Sequence, residues 1–524
     1  MSDALKAKSG KRNIQKLACI CLMFWLSVSL QVGEAQSEPA PFLYYYSDTL
    51  RTFVIERADG TDTRVLSQVT MPEETDDIAI RDWSPSGEWL AWTSRVRSGY
   101  DNTIDSGWIA NVDGTESWEI PTDAGHIYDM IWSPTDDLLF VSDWERPAGE
   151  FSYRAAYTQR FFLIDAPTQT VITTFEIELP FANRDLAAWT LDGEYVTFTY
   201  TVDAEEGTRS FLRRITRAGE IEDIPIPGVL VWGGLYSNPS RNAWVLSRSE
   251  DSSQLITVNI FSGEAITFDA LAPIEYIFLY QWNYTGDHVL IYVRTPNSGD
   301  KFELWLLSIP DQALQRIADD AGNYANERST WFPWSFYANH AIFYTDDGLF
   351  GLEIEPEVQV TQLADQVSLP QWYGDGRLYF TRRIVDNDGN SHLQAYTYDF
   401  LTDTLAGQDM RFSPYRISGD ERYAVTENPL AVVDRVQDQV FPIQSHSQVM
   451  HGPEYLLEWV YWFRNGPWFM TTETNVGINR GLPTYRRYTS VNNVDGTVHR
   501  ELSVCDSSCA SWLPEQVIAH LDSE

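Results

Sequence analysis

Asp123, His126 and Asp129 place oxygen and imidazole donors at three-residue steps, a set able to ligate a divalent ion. His446 and His451, with Glu454 following, form a second such group, without the helical HExxH pattern on which a zinc protease depends. Asp386-Asn387-Asp388-Gly389-Asn390 alternates oxygen donors around a glycine turn, as at the start of a calcium loop. His392 stands where a further oxygen donor belongs, and no bidentate glutamate follows at the EF-hand position. Calcium or another divalent cation is therefore the cofactor class these residues suggest, while a polar loop or a plain hairpin turn accounts for each group without a metal. No cofactor is required by the pattern. A serine hydrolase would need a GxSxG elbow and a following α/β domain, and the chain has neither. Carboxylate pairs for glycoside cleavage are inevitable among so many acids, so their presence identifies nothing. The catalytic residues of any reaction stay unidentified.

A second kind of candidate is a binding surface. Glu73, Glu74, Asp76 and Asp77 precede one strand-like segment, and Asp319, Asp320 and Glu327, with Arg328, precede another. Tyr100, Trp144, Tyr153, Tyr157 and Trp331 are aromatic residues of the kind that stack on sugars, although packing is the commoner fate of such rings. Over all 524 residues Lys+Arg is 37 against Asp+Glu 75, a formal charge of −38, which repels phosphate and argues against nucleic acid as a partner. With 43% hydrophobic and 21% charged residues the chain can bury a core, so disorder is excluded.

These residues must be held by elements, and the elements repeat. DWSPSGEWLAW, from Asp82 to Trp92, joins an aromatic anchor to a turn glycine and then to an alternating apolar strand. The design returns at anchors Trp132, Trp189, Trp282, Trp334 and Trp372, and in weaker form at Tyr236, Tyr415 and Trp462. The mean spacing is about 47 residues, in the range of four-stranded propeller blades. Asp113-Gly114, Ser262-Gly263 and Asp495-Gly496 mark the outer hairpins of such blades. The fold class is all-β: a β-propeller of four-stranded blades, expected as a single ring of about eight, with a larger ring or two smaller propellers as alternatives. The N-terminal strands FLYYYS, RTFVIER and TRVLS are expected to complete a blade begun by C-terminal sequence, which removes exposed sheet edges.

WSPSGEWLAW and WSPTDDLLFV resemble the repeat of TolB-type (WD40-like) β-propellers, whose blades carry W-S-P-D-G before an apolar strand. The resemblance implies a propeller and an extracytoplasmic scaffold; it carries no site residue across, since the motif's aspartate is Ser86 in the first copy and Thr135 in the second.

Residues 1–35 are expected to be a signal peptide. Five basic residues precede the uncharged run from Leu17 to Val32, and small residues at Gly33 and Ala35 suit cleavage after Ala35. The alternative is an N-terminal membrane anchor. Removal leaves 32 basic and 73 acidic residues, with Lys301 the only lysine. Residues 36–504 form the expected propeller, and 505–524 a C-terminal tail closed by a disulfide between Cys505 and Cys509. The mature chain is expected to be a secreted or periplasmic monomer with no membrane span. Its expected role is non-catalytic: it binds a protein or cell-envelope ligand with a basic surface through a loop-rich face. The alternative is a propeller enzyme acting on carbohydrate, as glycosidase or metal-assisted lyase.

Overall fold

The computed structural model describes residues 39–523, apart from 48, 71–76, 98–102, 123–125, 145–155, 181–186, 205–206, 232–243, 300, 322–333, 336–338, 366, 373–375, 386–390, 409–415, 419–421, 428–429, 444–454, 464–465, 480–481 and 506–509. The chain divides between Pro41 and Phe42 into two units, and the sheets belong to the second. The expected signal peptide and the Cys505–Cys509 pairing lie outside the described residues.

Ten antiparallel sheets follow one another along the chain. Blade 1 pairs Ala510–Trp512, Phe42–Ser47, Thr52–Arg57 and Arg64–Thr70, from innermost to outermost. Blades 2 to 10 span residues 77–119, 126–180, 188–226, 229–269, 276–321, 334–364, 367–408, 417–442 and 455–505. In blades 7 and 9 the innermost position is held by single bridges, Trp334 to Ala341 and Ile417 to Ala424. The propeller is confirmed, and its size is corrected from about eight blades to ten.

The local reason for each blade is a hairpin that closes in the same way. Trp83, Trp132, Trp189, Trp282, Trp334, Trp372 and Trp462 each stand six residues before the start of the second strand. The next residue donates its backbone N–H across the turn: Ser84 to Trp89, Ser133 to Leu138, Thr190 to Tyr195 and Asn283 to His288, at 2.8–2.9 Å. Its side chain then accepts the returning N–H, as Ser84 Oγ does from Trp89 at 3.1 Å and Thr190 Oγ1 from Tyr195 at 3.1 Å. A short oxygen-bearing residue after the anchor is thus a turn cap.

Between blades the rings and aliphatic chains form the core. Shared apolar clusters join each blade to the next from 1 through 8, and blade 9 to blade 10. Blade 10 packs back on blade 1: Trp512 donates its indole N–H to the Tyr461 carbonyl at 3.2 Å, and Arg500 forms an ion pair with Glu56. Both chain ends therefore build blade 1, as expected, and residues 510–512 move from the expected tail into the ring. The only α-helix among the described residues, α1 (Glu515–Ser523), follows this strand and buries Val517 and Leu521 in the cluster between blades 1 and 2.

Candidate functional site

Strand direction gives the ring two unlike sides. On the turn side lie the first-to-second and third-to-fourth strand hairpins; on the loop side lie the inter-blade loops and the second-to-third strand connections. Of the site residues expected from sequence, Asp77 and His126 open innermost strands at the loop side, and Asp319 and Asp320 close an outermost strand there.

Innermost strands carry a recurrent irregularity. The register shifts between Ile80 and Asp82, Ile127 and Asp129, Ile277 and Leu279, Ser368 and Gln371, and Leu457 and Trp459. Such bulges re-aim side chains at rims and binding sites. In blade 3 the bulge has a chemical effect. His126 pairs with Trp144 and Asp129 with Ser142, so two residues three apart come to share one sheet face. The His126 ring stacks on the Trp144 indole at 4.7 Å, and the Asp129 carboxylate accepts the Ser142 hydroxyl at 2.5 Å. Asp143 receives both Nε and Nη2 of Arg160, at 2.9 and 2.8 Å, a fully buried bidentate pair that ties the second strand to the third.

Ser142 is 1% exposed, so its hydroxyl braces Asp129 out of reach of a substrate rather than serving as a nucleophile. Asp123, the third donor expected here, lies outside the described residues. Among the described residues no group of three His, Cys, Asp or Glu side chains is arranged to hold a metal ion.

The other expected sites fare unevenly. Asp77 begins the innermost strand of blade 2 and pairs in register with Arg95, whose guanidinium binds Asp105 at 2.7 Å. Asp319 and Asp320 close the outermost strand of blade 6, and both have cationic neighbours: Arg316 at 2.9 Å from Asp319, and Lys301 at 3.9 Å from Asp320. Lys301 also binds Asp346 of blade 7, whose carboxylate raises the lysine above its ordinary pKa. The sole lysine after the expected leader thus bridges two blades. Glu73, Glu74, Asp76, Glu327, Arg328, Asp386, Asp388, His446, His451, Glu454, Tyr100, Tyr153 and Trp331 lie outside the described residues. Tyr157 lies in the strand Ala156–Asp165.

Sequence reasoning missed the Arg95–Asp105, Asp143–Arg160 and Glu303–Arg316 pairs, at 2.7, 2.8 and 3.0 Å. Their signal was present: Ser142-Asp143 interrupts the apolar run of Leu138–Trp144, and a polar residue inside such a strand calls for a partner across the ladder. On the innermost strand of blade 2, burial raises the Asp82 carboxyl, against backbone N–H groups of Trp83 and Trp132 that lower it.

No protein-family model matches the chain, and no curated protein matches it. Among solved structures, a eukaryotic initiation factor is 11% identical, with 90% of this chain and 98% of that one covered at a TM-score of 0.44. The β-propeller domain of the Trilobed protease from Pyrococcus furiosus is 11% identical over 71% and 97%, at 0.29. The tricorn protease is 12% identical over 88% and 44%, at 0.25. These likenesses are too distant to speak to function, and the ten-bladed propeller stands on its own strand pairing.

Proposed function

We propose that the chain is an exported, non-catalytic β-propeller that docks a protein or cell-envelope ligand on its loop side. The observation that carries this reading is the hairpin of blade 10. Trp468–Asn479 and Leu482–Asn493 pair over twelve residues each. The innermost strand reaches only to Asn475 and the outermost only to Arg487. The pairs from Val476–Tyr485 to Asn479–Leu482 therefore stand beyond the sheet as a two-stranded ribbon that, among the described residues, pairs with no further strand on either edge. Among the described residues the turns on the opposite side have no such extension.

Export by residues 1–35 and an extracytoplasmic location are part of the same proposal, supported by the basic-then-apolar leader and the Trp-Ser-Pro resemblance to TolB-type repeats. Glu73, Glu74, Asp76 and Asp77 would steer a basic partner to this side, so salt would slow its association. The test is site-specific photo-crosslinking in the producing cell from Asn479 and, on the turn side, from Asp192. Adducts with one ligand from Asn479 and none from Asp192 support the reading. Adducts from Asp192 alone reject it.

A further inference from the structure

Away from the loop side, the turn between the third and fourth strands is built alike in blades 8 and 9. Asp399 accepts the N–H groups of Leu401 and Thr402 at 2.8 and 3.3 Å, and Asp434 accepts those of Val436 and Gln437 at 3.0 Å each. Asp403 and Asp438 close the two turns with φ of 49° and 53°. The residue carried at the apex is Leu401 in one and Val436 in the other, 86% and 77% exposed. Nothing in the turn requires an apolar side chain there, because the caps use only its backbone.

The outermost strands repeat the pattern. Their second residue is Val171 and Leu314 in blades 3 and 6, where it packs against the inter-blade core. In blades 7, 8 and 9 the equivalent Val360, Leu405 and Val440 are 45%, 47% and 58% exposed. Three consecutive blades thus offer apolar side chains at matching positions on the outer, turn-side rim. Exposed carboxylates stand among them: Glu355 and Glu357, Asp403, and Asp438.

We propose that this rim is a docking surface for a basic, amphipathic segment of another protein. Apolar groups repeated once per blade fit a partner with apolar side chains at intervals, and the carboxylates between them select one whose intervening residues are lysine or arginine. A second copy of this chain would bring the same carboxylates against themselves, so charge disfavours self-association here. The surface is separate from the loop side, and its test uses separate variants.

The probe is a fluorescein-labelled twenty-residue peptide of leucine and lysine in amphipathic order, read by fluorescence anisotropy. Leucine–glutamine and lysine–glutamine peptides of the same pattern serve as controls. The leucine–lysine peptide should bind, and Leu401→Ser with Val436→Ser should weaken it at least about ten-fold, as expected for losing two buried side chains. Glu357→Gln with Asp438→Asn should weaken it roughly three-fold and reduce its salt dependence. Thermal unfolding of both double variants should match the parent, since the substituted side chains are exposed. Three outcomes overturn the proposal. The lysine–glutamine peptide binds as well as the leucine–lysine one; the Leu401→Ser, Val436→Ser protein binds unchanged; or those substitutions instead abolish self-association in sedimentation or flotation with phosphatidylcholine vesicles.

Discussion

At the scale of single residues, the anchor tryptophans divide into two groups with different energetic roles. Trp189 and Trp334 donate their indole N–H groups to Ile131 and Gln281 of the preceding blade, at 3.1 and 2.8 Å. Trp282 is equally buried, yet its N–H has no hydrogen-bond partner among the described residues. Replacing any of the three by phenylalanine removes similar ring area, so the difference isolates the hydrogen bond. Trp189→Phe and Trp334→Phe are expected to destabilise by about 1 kcal/mol more than Trp282→Phe in urea unfolding. A pH effect belongs to this scale too. Burial pushes the Tyr200 phenol up to about 12, with Arg213 and Asp223 beside it. Because the folded value is raised, its contribution to stability is complete below the unfolded value near 10 and is lost as pH rises from there towards 12. Tyr200→Phe should flatten the fall in unfolding midpoint across that window; an unchanged slope would show that the phenol is not its source.

Among elements, α1 holds the ring's closing strand in place. A Cβ on Gly87, whose φ is +77°, would lie 2.4 Å from the Gln516 carbonyl oxygen. The helix is therefore seated directly on the first hairpin turn of blade 2. Truncation after Leu513 withdraws Val517 and Leu521 from the cluster between blades 1 and 2, and should cost about 3 kcal/mol or more. Gly87→Ala should cost about 2 kcal/mol in the full chain, but only the ~1 kcal/mol of backbone strain once the helix is gone. Equal costs in both backgrounds would mean that the close approach carries no energy.

Much of this level was legible. The anchor, the turn cap and the following apolar strand are adjacent in sequence, so local chemistry marks each hairpin. One anchor was misplaced and another missed, each for a physical reason. In PYRISGDERYAVT the bridge and the six-residue spacing fall on Ile417, and Ser418 caps Tyr423 at 2.9 Å, whereas aromatic character drew the expectation to Tyr415. Trp512 was passed over because a helix, not a turn and strand, follows it; its partner strand lies at the other end of the chain. Ring size was legible as well: nine anchors and the N-terminal strand set make ten, and the expectation of about eight came from the usual size of such rings rather than from the residues. The loop-side pairs were missed because they cross a ladder between distant residues, and several expected donors fall outside the described segments.

Over the whole molecule, part of the acidic composition has a structural role. Asp-Gly-Thr occurs at the third-to-fourth strand turns of blades 1, 2 and 10, where Asp59, Asp113 and Asp495 accept both the backbone N–H and the hydroxyl of the threonine. Asp192, Asp399 and Asp434 cap other turns on that side. Each cap serves its own turn, yet together they add to a formal charge of −38 that opposes compaction. Raising sodium chloride from about 10 mM to about 0.3 M should therefore lift the melting temperature by a few degrees, as screening shortens the range of that repulsion. A flat response would mean that the Arg–carboxylate pairs already neutralise the field. The joining of both chain ends in blade 1 also sets an order of events during synthesis. Phe42–Ser47 is made long before its neighbour Ala510–Trp512. At about 5–20 residues per second the wait is on the order of a minute. Throughout that interval the first sheet has an unclaimed inner edge, so the nascent chain is most open to mispairing at Phe42–Ser47 until Ala510–Trp512 reaches it.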